Sequence, residues 1–408
     1  MMKNKKKRRL RGALIVLCVL IALGAEGLFL RAQLFVRSGN CGVEGAEDSV
    51  VWRVDLRGRL TISGNGEMAD NLNYLLIFAY ESAFHTSVNF ENAIRSVVVE
   101  EGVTRIGDNA FAGLFHVGTV SLPESLGEIG FRAFGGLSRV KTVRLPARTE
   151  SVGTEAFAGC YALREIAVDE NNPSFTSADG VLMNRGKTEL LAFPAGRTDK
   201  EYVVPDSVAR IGDSAFCCCA NLMRVEIPDT VTEIGKNAFD NCSRLENVRL
   251  PATLTELDDY TFVNCTALRE IELPDTVTKC GNSVFQGCSS LSSVKLPDGL
   301  DTVAGLMFEE CAALRSIELP AGIRTVATEA FALSGLEEIV LPEGVTTVGM
   351  RAFYGCESLR KITIPASVTK IGKSAFAGCP DLTSIDYAGT EEQWQKAAGG
   401  EDVGFDKF

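Results

Sequence analysis

A phenylalanine returns every 23 residues along most of this 408-residue chain, and no other feature restricts its fold so tightly. Phe111, Phe134 and Phe157 are 23 apart; after a gap, Phe216, Phe239, Phe262, Phe285, Phe308 and Phe331 keep the step, Phe353 follows at 22 and Phe376 at 23. Self-similarity at a period of about 20 to 50 residues marks a stack of structural units. A unit this short cannot bury its apolar side alone, so each must lie against the next and stability becomes a sum of neighbour terms. Eleven units share the frame.

Residues 231–251 hold a well-kept copy, Val-Thr-Glu-Ile-Gly-Lys-Asn-Ala-Phe-Asp-Asn-Cys-Ser-Arg-Leu-Glu-Asn-Val-Arg-Leu-Pro. Leu245, Val248 and Leu250 pattern a short extended segment, which Pro251 ends because it has no N–H to give a ladder. Val231 and Ile234 pattern a second one. Gly235 is expected to permit a tight bend, and Ala238-Phe239 to begin a compact helical or 3₁₀ turn whose Phe fills the middle of the coil. Asp258, Ala304 and Ala327 replace the bend Gly, and the Phe331 unit is one residue short, so local irregularity is expected there. The gap of 59 between Phe157 and Phe216 exceeds two periods by about 13 residues. Turn signals at Asn171-Asn172-Pro173 and Ala178-Asp179-Gly180-Val181 flank apolar runs, which reads as a β-hairpin-like insertion at about 168–204.

Both ends carry capping signals. Residues 50–56 and 60–62 alternate around Arg57-Gly58-Arg59 as a hairpin would, and Thr390 to Gln393 form a capping box ahead of Trp394. The array therefore reads as complete, with the terminal apolar edges of the stack covered.

The unit Ile-Gly-x-x-Ala-Phe-x-x-Cys-x-x-Leu-x-x-Ile-x-Leu-Pro resembles that of BspA-type leucine-rich-repeat proteins over about residues 95–389. The stretch from Trp52 to Met68 is similar to the module that often precedes such arrays. The resemblance implies a repeat solenoid, a right-handed leucine-rich-repeat coil of short strands and 3₁₀ or helical turns with N- and C-terminal caps. It also implies surface attachment to host matrix proteins or other cells, with no fixed catalytic or binding motif. The expected organisation is a signal or anchor segment at 1–37, a β-rich capping module at 38–94, the array at 95–389 and a C-terminal cap and tail at 390–408.

Charge is distributed unevenly. Residues 1–37 hold nine Lys/Arg against Glu26, about +8, so the overall −12 leaves about −20 on residues 38–408. A body so acidic repels nucleic acid and anionic lipid headgroups. The N-terminus opens with seven basic residues and continues into an apolar run from Gly12 to Ala25. A basic flank stays cytoplasmic, so the rest of the chain is expected to be exported. The run fits a cleaved signal peptide; counted from Leu10 to Leu30 it also fits an uncleaved anchor in the cytoplasmic membrane with Glu26 near the outer interface. Both readings stay open.

Thirteen cysteines in an exported chain ordinarily signal disulfides. Here Cys160, Cys219, Cys242, Cys265, Cys288, Cys311, Cys356 and Cys379 all fall three residues after a repeat Phe. They are expected to stack as a buried column of free thiols acting as small hydrophobes, because parallel side-chain vectors suit disulfide torsions poorly. Cys217-Cys218-Cys219 has no paired Cys-x-x-Cys or His nearby, so no metal site is read there. The two histidines, His85 and His116, stand in different units without a nucleophile or acid at motif spacing. Phosphate-binding loops, dinucleotide fingerprints and His-Glu-x-x-His are absent from the sequence, and no cofactor is expected.

Residues between the strand Leu and Pro are expected to point outward. One such column runs Glu226, Arg249, Glu272, Lys295, Glu318, alternating in sign as a self-neutralising ladder would. A second, after the Leu, is more basic: Lys141, Arg164, Arg269, Arg315 and Arg360, interrupted by Glu246 and Glu337. These five residues are the candidate ligand-binding face, for an extracellular protein or glycan of unknown identity. Neither column holds an aromatic residue, and Met223 reads as their one large apolar exception. The sequence thus points to a non-enzymatic, surface-displayed binding module, with a structural envelope spacer as the alternative.

Overall fold

The computed structural model describes residues 37–72 and 93–405. The N-terminal basic and apolar segment, Cys18 and His85 lie outside the described residues. The rest winds into a β-solenoid of about 13 turns. Each regular rung contributes two short strands, of which Asn247–Arg249 and Glu256–Leu257 are typical. Asn247–Arg249 pairs in parallel with Arg224–Glu226, residue for residue at the repeat step. Val248 faces inward while Asn247 and Arg249 are exposed, the alternation that a half-buried strand requires. The Phe side chains form two stacks inside, Phe111 to Phe157 and Phe193 to Phe376: Phe216–Phe239 centroids are 4.9 Å apart and Phe262–Phe285 5.8 Å, with rings within 10° of parallel. The rung spacing of about 4.8 Å sets that separation, so one aromatic per rung suffices to fill the core.

The turn around each Phe is not a helix. Bonds of the 3₁₀ type occur singly, for example Asp240 N to Asn237 O at 3.0 Å and Cys242 N to Phe239 O at 3.2 Å, but they do not run on. Residues two before and two after the Phe adopt left-handed backbone, as at Asn237 (φ 55°) and Asn241 (φ 58°). That alternation swings every second N–H out of the turn and toward the next rung. Asn237, Phe239 and Asn241 N–H donate to Asp259, Thr261 and Val263 O at 3.1, 2.9 and 2.8 Å. A helix would consume those donors internally and leave the rungs joined only by their strands.

The repeat glycine serves a purpose other than the expected bend. Gly235 does not have a positive φ. A Cβ there would instead lie 2.1 Å from Asp213 Oδ1 and 2.8 Å from Asp213 N on the preceding rung. The position is glycine because backbone passes over backbone, while Gly235 N–H reaches Ile211 O at 2.9 Å. Where the glycine is replaced by Asp258 and by Ala304, this ladder breaks: Glu233–Ile234 is not paired with Glu256–Leu257, nor Lys279–Cys280 with Thr302–Val303. The irregularity expected at Ala327 is absent from the ladder, since Ala327 N donates to Val303 O at 2.9 Å. By register Ala327 lies opposite Ala304, and the residue after it, Gly305, lacks the side chain that Asp213 presents beneath Gly235.

The insertion is a meander of three strands where a hairpin was expected. Phe175–Ala178 pairs antiparallel with Val181–Asn184 through a two-residue turn at Asp179 and Gly180, both left-handed. Val181–Asn184 pairs antiparallel with Glu189–Ala192, which rejoins the coil in parallel with Arg210–Ile211. Buried Asn172 fastens the excursion: its amide donates to Pro146 O and Thr149 O, each at 2.9 Å, and its Oδ1 accepts from Ser174 and Phe175 N–H. Phe193, 23 residues before Phe216, then resumes the column at 5.3 Å.

Ends are closed differently. At the start, Arg37–Asn40, Val50–Val54 and Arg59–Gly64 form an antiparallel sheet, one strand more than expected, and Arg59–Gly64 pairs in parallel with the first rung strand, Ser96–Val99. At the finish, helix Glu391–Ala398 carries the expected capping box and lays Trp394 over Phe376 at 6.4 Å. The following segment supplies the acceptors a further rung would have offered: Ser374 N–H donates to Asp402 O at 2.7 Å and Phe376 N–H to Val403 O at 2.9 Å. No described helix is long and apolar enough to cross a membrane.

Candidate functional site

The cysteine column is built for the backbone. Cys242, Cys265, Cys288, Cys311 and Cys356 are fully buried, and each donates its S–H to the carbonyl of the Phe on the rung before, at 3.1, 3.3, 3.1, 3.2 and 3.0 Å. Cys160 and Cys379 do the same at 3.2 and 3.1 Å, and Cys219 at a longer 3.6 Å. All eight are free thiols. The side chain is thus more than a small hydrophobe: it gives a second donor to a buried carbonyl that already accepts one backbone N–H of its own turn, as Phe239 O does from Cys242 at 3.2 Å. Burial pushes the Cys160 and Cys288 thiols up to about 12. Half-buried Cys379, on the last Phe rung, is drawn below the usual thiol range by its neighbour Cys356.

The outward columns divide into paired and unpaired charges. Arg249 lies 3.8 Å from Glu226, and Lys295 bonds Glu272, so the alternating column forms discrete ion pairs. Val203 and Val340 continue that column by register, with exposures of 62% and 64%, so Met223 in the basic column is not the one large apolar residue of the two columns. In the basic column all five candidates are exposed. Glu337 bridges Arg315 at 3.9 Å and Arg360 at 3.7 Å, which commits both to the protein itself. Lys141, Arg164 and Arg269 make no ion pair with any described residue, and Arg164 N–H donates to Lys141 O at 2.8 Å, which puts the first two on adjacent rungs. Lys200 belongs to the same column, since Met223 N–H bonds its carbonyl at 2.7 Å as Arg164 bonds Lys141; the insertion hid it from the sequence frame.

Aromatic exposure lies on the turn side. Phe115 and Tyr161, both four residues after a repeat Phe, are 55% and 58% exposed. Nothing in the period marks them, because most rungs carry small residues there. Tyr161 adjoins the place where the coil is interrupted. The core divides into one cluster ending at Leu182 and another beginning at Val181. A cavity of about 170 Å³ lies between them, lined among others by Val152, Phe157, Phe193, Ser214 and Cys217. Glu155 and Phe157 N–H, which on a regular rung would bond the next one, meet no backbone carbonyl among the described residues. Ser214 Oγ is likewise buried without a partner.

Beside this cavity Cys217 and Cys218 depart from the column. Cys218 takes the left-handed position two after the Phe (φ 65°), where Gly136, Gly159 and Gly287 stand on other rungs. Its sulfur is 3.5 Å from that of Cys217, which donates toward Asp240 Oδ2 at 3.8 Å. The Cys217 thiol, with Tyr161 assisting against the effect of burial, draws the Cys218 thiol down to about 7. Among the described residues, no group of three or more His, Cys, Asp or Glu side chains is arranged to hold a metal ion.

Solved structures with the same architecture are bacterial leucine-rich-repeat proteins. One from Eubacterium ventriosum is 21% identical, covers 85% of this chain and 96% of its own, and superposes with a TM-score of 0.58. The pneumococcal vaccine antigen PcpA is 22% identical over 77% of this chain and 68% of its own, with a TM-score of 0.50. No curated protein matches the sequence. The model of the BspA type leucine rich repeat region matches in 6 copies, over residues 80–179, 192–312 and 281–398. The Phe stack, the thiol column and these matches agree, and the chain belongs to the BspA-type leucine-rich-repeat family.

Proposed function

We propose that the protein is a non-enzymatic binding module displayed outside the cytoplasmic membrane, which docks an extracellular protein or glycan along its strand face. Support for display comes from the basic and apolar N-terminal segment of the sequence, which either anchors the chain or is removed on export. The observation that carries the binding reading is the set Lys141, Arg164 and Arg269, exposed cations in one register that the protein does not neutralise for itself. In a body of about −20 they are out of keeping with the surface around them, and steering of an acidic partner is what such a row does.

Replacing all three with Glu tests the reading. Retention of the purified chain on a partner-bearing cell or matrix surface should fall at least about tenfold in low salt, with the melting temperature unchanged. Equal retention would dismiss the face as the docking surface. The ion pairs Glu226–Arg249 and Glu272–Lys295 favour a second reading, an envelope spacer whose regular face serves stacking alone. A spacer would show no saturable retention before or after substitution.

A further inference from the structure

We propose that Cys217 and Cys218 form a redox-active vicinal dithiol, reached from the turn side of the coil, that small disulfide compounds convert to an internal disulfide. The case begins with what separates these thiols from the column. Column thiols point into the core and spend their S–H on Phe carbonyls. Cys218 is only half-buried, stands beside exposed Tyr161 and opens toward the interruption of the coil. Its left-handed backbone is unfavourable for a residue with a Cβ, and glycine or asparagine fills the same position on most other rungs. A cysteine held there, 3.5 Å from a second thiol, is not required by the packing of the rung.

The reaction follows from the geometry. Cys218 as thiolate attacks one sulfur of a small disulfide RSSR, forming Cys218–S–S–R and expelling RS⁻. Cys217 then attacks the Cys218 sulfur, breaks its bond to R and releases a second RS⁻, leaving a Cys217–Cys218 disulfide. Asp240 Oδ2 faces the proton that Cys217 must lose, and the two protein protons leave with the two RSH formed. Two electrons pass from the protein thiols to the small disulfide. Neighbouring Cα atoms stand about 3.8 Å apart, below the range of ordinary disulfides, so the product is easily reduced and the step is reversible. Access matters as well as reactivity: a partly exposed, low-pKa thiol beside a resolving thiol is the arrangement that reacts selectively.

The test uses the folded full-length chain and 5,5′-dithiobis(2-nitrobenzoate) as the disulfide. After brief exposure, denaturation, alkylation and trypsin digestion, the peptide 211–224 is weighed. It should carry one alkyl group instead of three, with Cys219 alone modified. In Cys217→Ser the same peptide should retain one nitrobenzoate adduct at Cys218. In Cys218→Gly, which restores the residue found at Gly159 and Gly287 and so keeps the turn, oxidation should slow by about tenfold or more with the melting temperature held. A Cys218→Gly peptide oxidised at the parent rate, or a parent peptide that stops at the mixed disulfide, would overturn the proposal.

Discussion

Gly235→Ala probes the rule that glycine is present because rungs pass close together. The added methyl would sit 2.1 Å from Asp213 Oδ1, 2.8 Å from Asp213 N and 3.0 Å from Asp213 Cα, so side-chain rotation alone does not relieve it. The rung must shift and stretch the 2.9 Å bond from Gly235 N–H to Ile211 O. Loss of that bond costs about 1 kcal/mol, and overpacking costs about 1–3 kcal/mol. Alanine restricts the unfolded chain and returns about 0.4–1 kcal/mol. The net expectation is a loss of roughly 1–3 kcal/mol, read as a lower urea midpoint. Gly118→Ala is the control: its nearest contact would be Arg95 O at an ordinary 3.9 Å and its φ is not positive, so only the gain remains. If the two variants shift alike, close approach is not the reason for the repeat glycine. Asp258 and Ala304 already mark the natural outcome, for the ladder is broken at both.

Three further outcomes are expected. Cys265→Ala removes one of the two donors to Phe239 O, the Cys242 N–H remaining, and should cost about 1 kcal/mol in denaturant unfolding, whereas Cys265→Ser, which keeps both donors, should cost less. Equal losses would reduce the column to packing. Thr390→Ala removes the side chain that accepts from Gln393 N–H, and the C-terminal helix should lose about 1 kcal/mol, seen as faster amide exchange over 391–398 with the central rungs unaffected. The Arg197 hydrogen bond holds the Asp199 carboxyl below the usual carboxylate range despite some burial. A depressed folded value contributes stability that is present above about pH 4 and lost as pH falls through the folded value. Asp199→Asn should therefore lower the melting temperature at pH 7 and match the parent near pH 2; an offset persisting at pH 2 would point to packing instead.

The Phe period made the architecture legible because it recurs where the core permits one ring per rung. Caps were legible for the same kind of reason: Thr390, Gln393 and Trp394 act through local geometry that spacing records. Glycine misled, since the residue that frees a backbone and the residue that admits a neighbouring backbone look identical in sequence. Of the two left-handed positions, the one after the Phe is marked by glycine or asparagine on most rungs, whereas the one before it follows no residue rule. Arg132, Tyr260 and Leu306 occupy the one before the Phe, held there by the hydrogen bonds of adjoining rungs rather than by their own preference. Phe193 was hidden by 36 residues of separation from Phe157, and Lys200 with it. The relation of Cys217 to Asp240, and of Cys218 to Tyr161, exists only after rungs are stacked; along the chain these residues belong to three different units.

The alternating turn bonds also give the coil a direction. The turn of every regular rung offers donors to the rung after it and acceptors to the rung before it, so the stack of turns has unlike poles, and Asp402 and Val403 cover the donor pole. Growth by duplication is then a matter of splicing in 23 residues anywhere between the poles, each copy adding about 4.8 Å of reach. Neither cap registers the change. Length in this protein is a quantity evolution can set as one sets a ruler, independently of how the ends are finished.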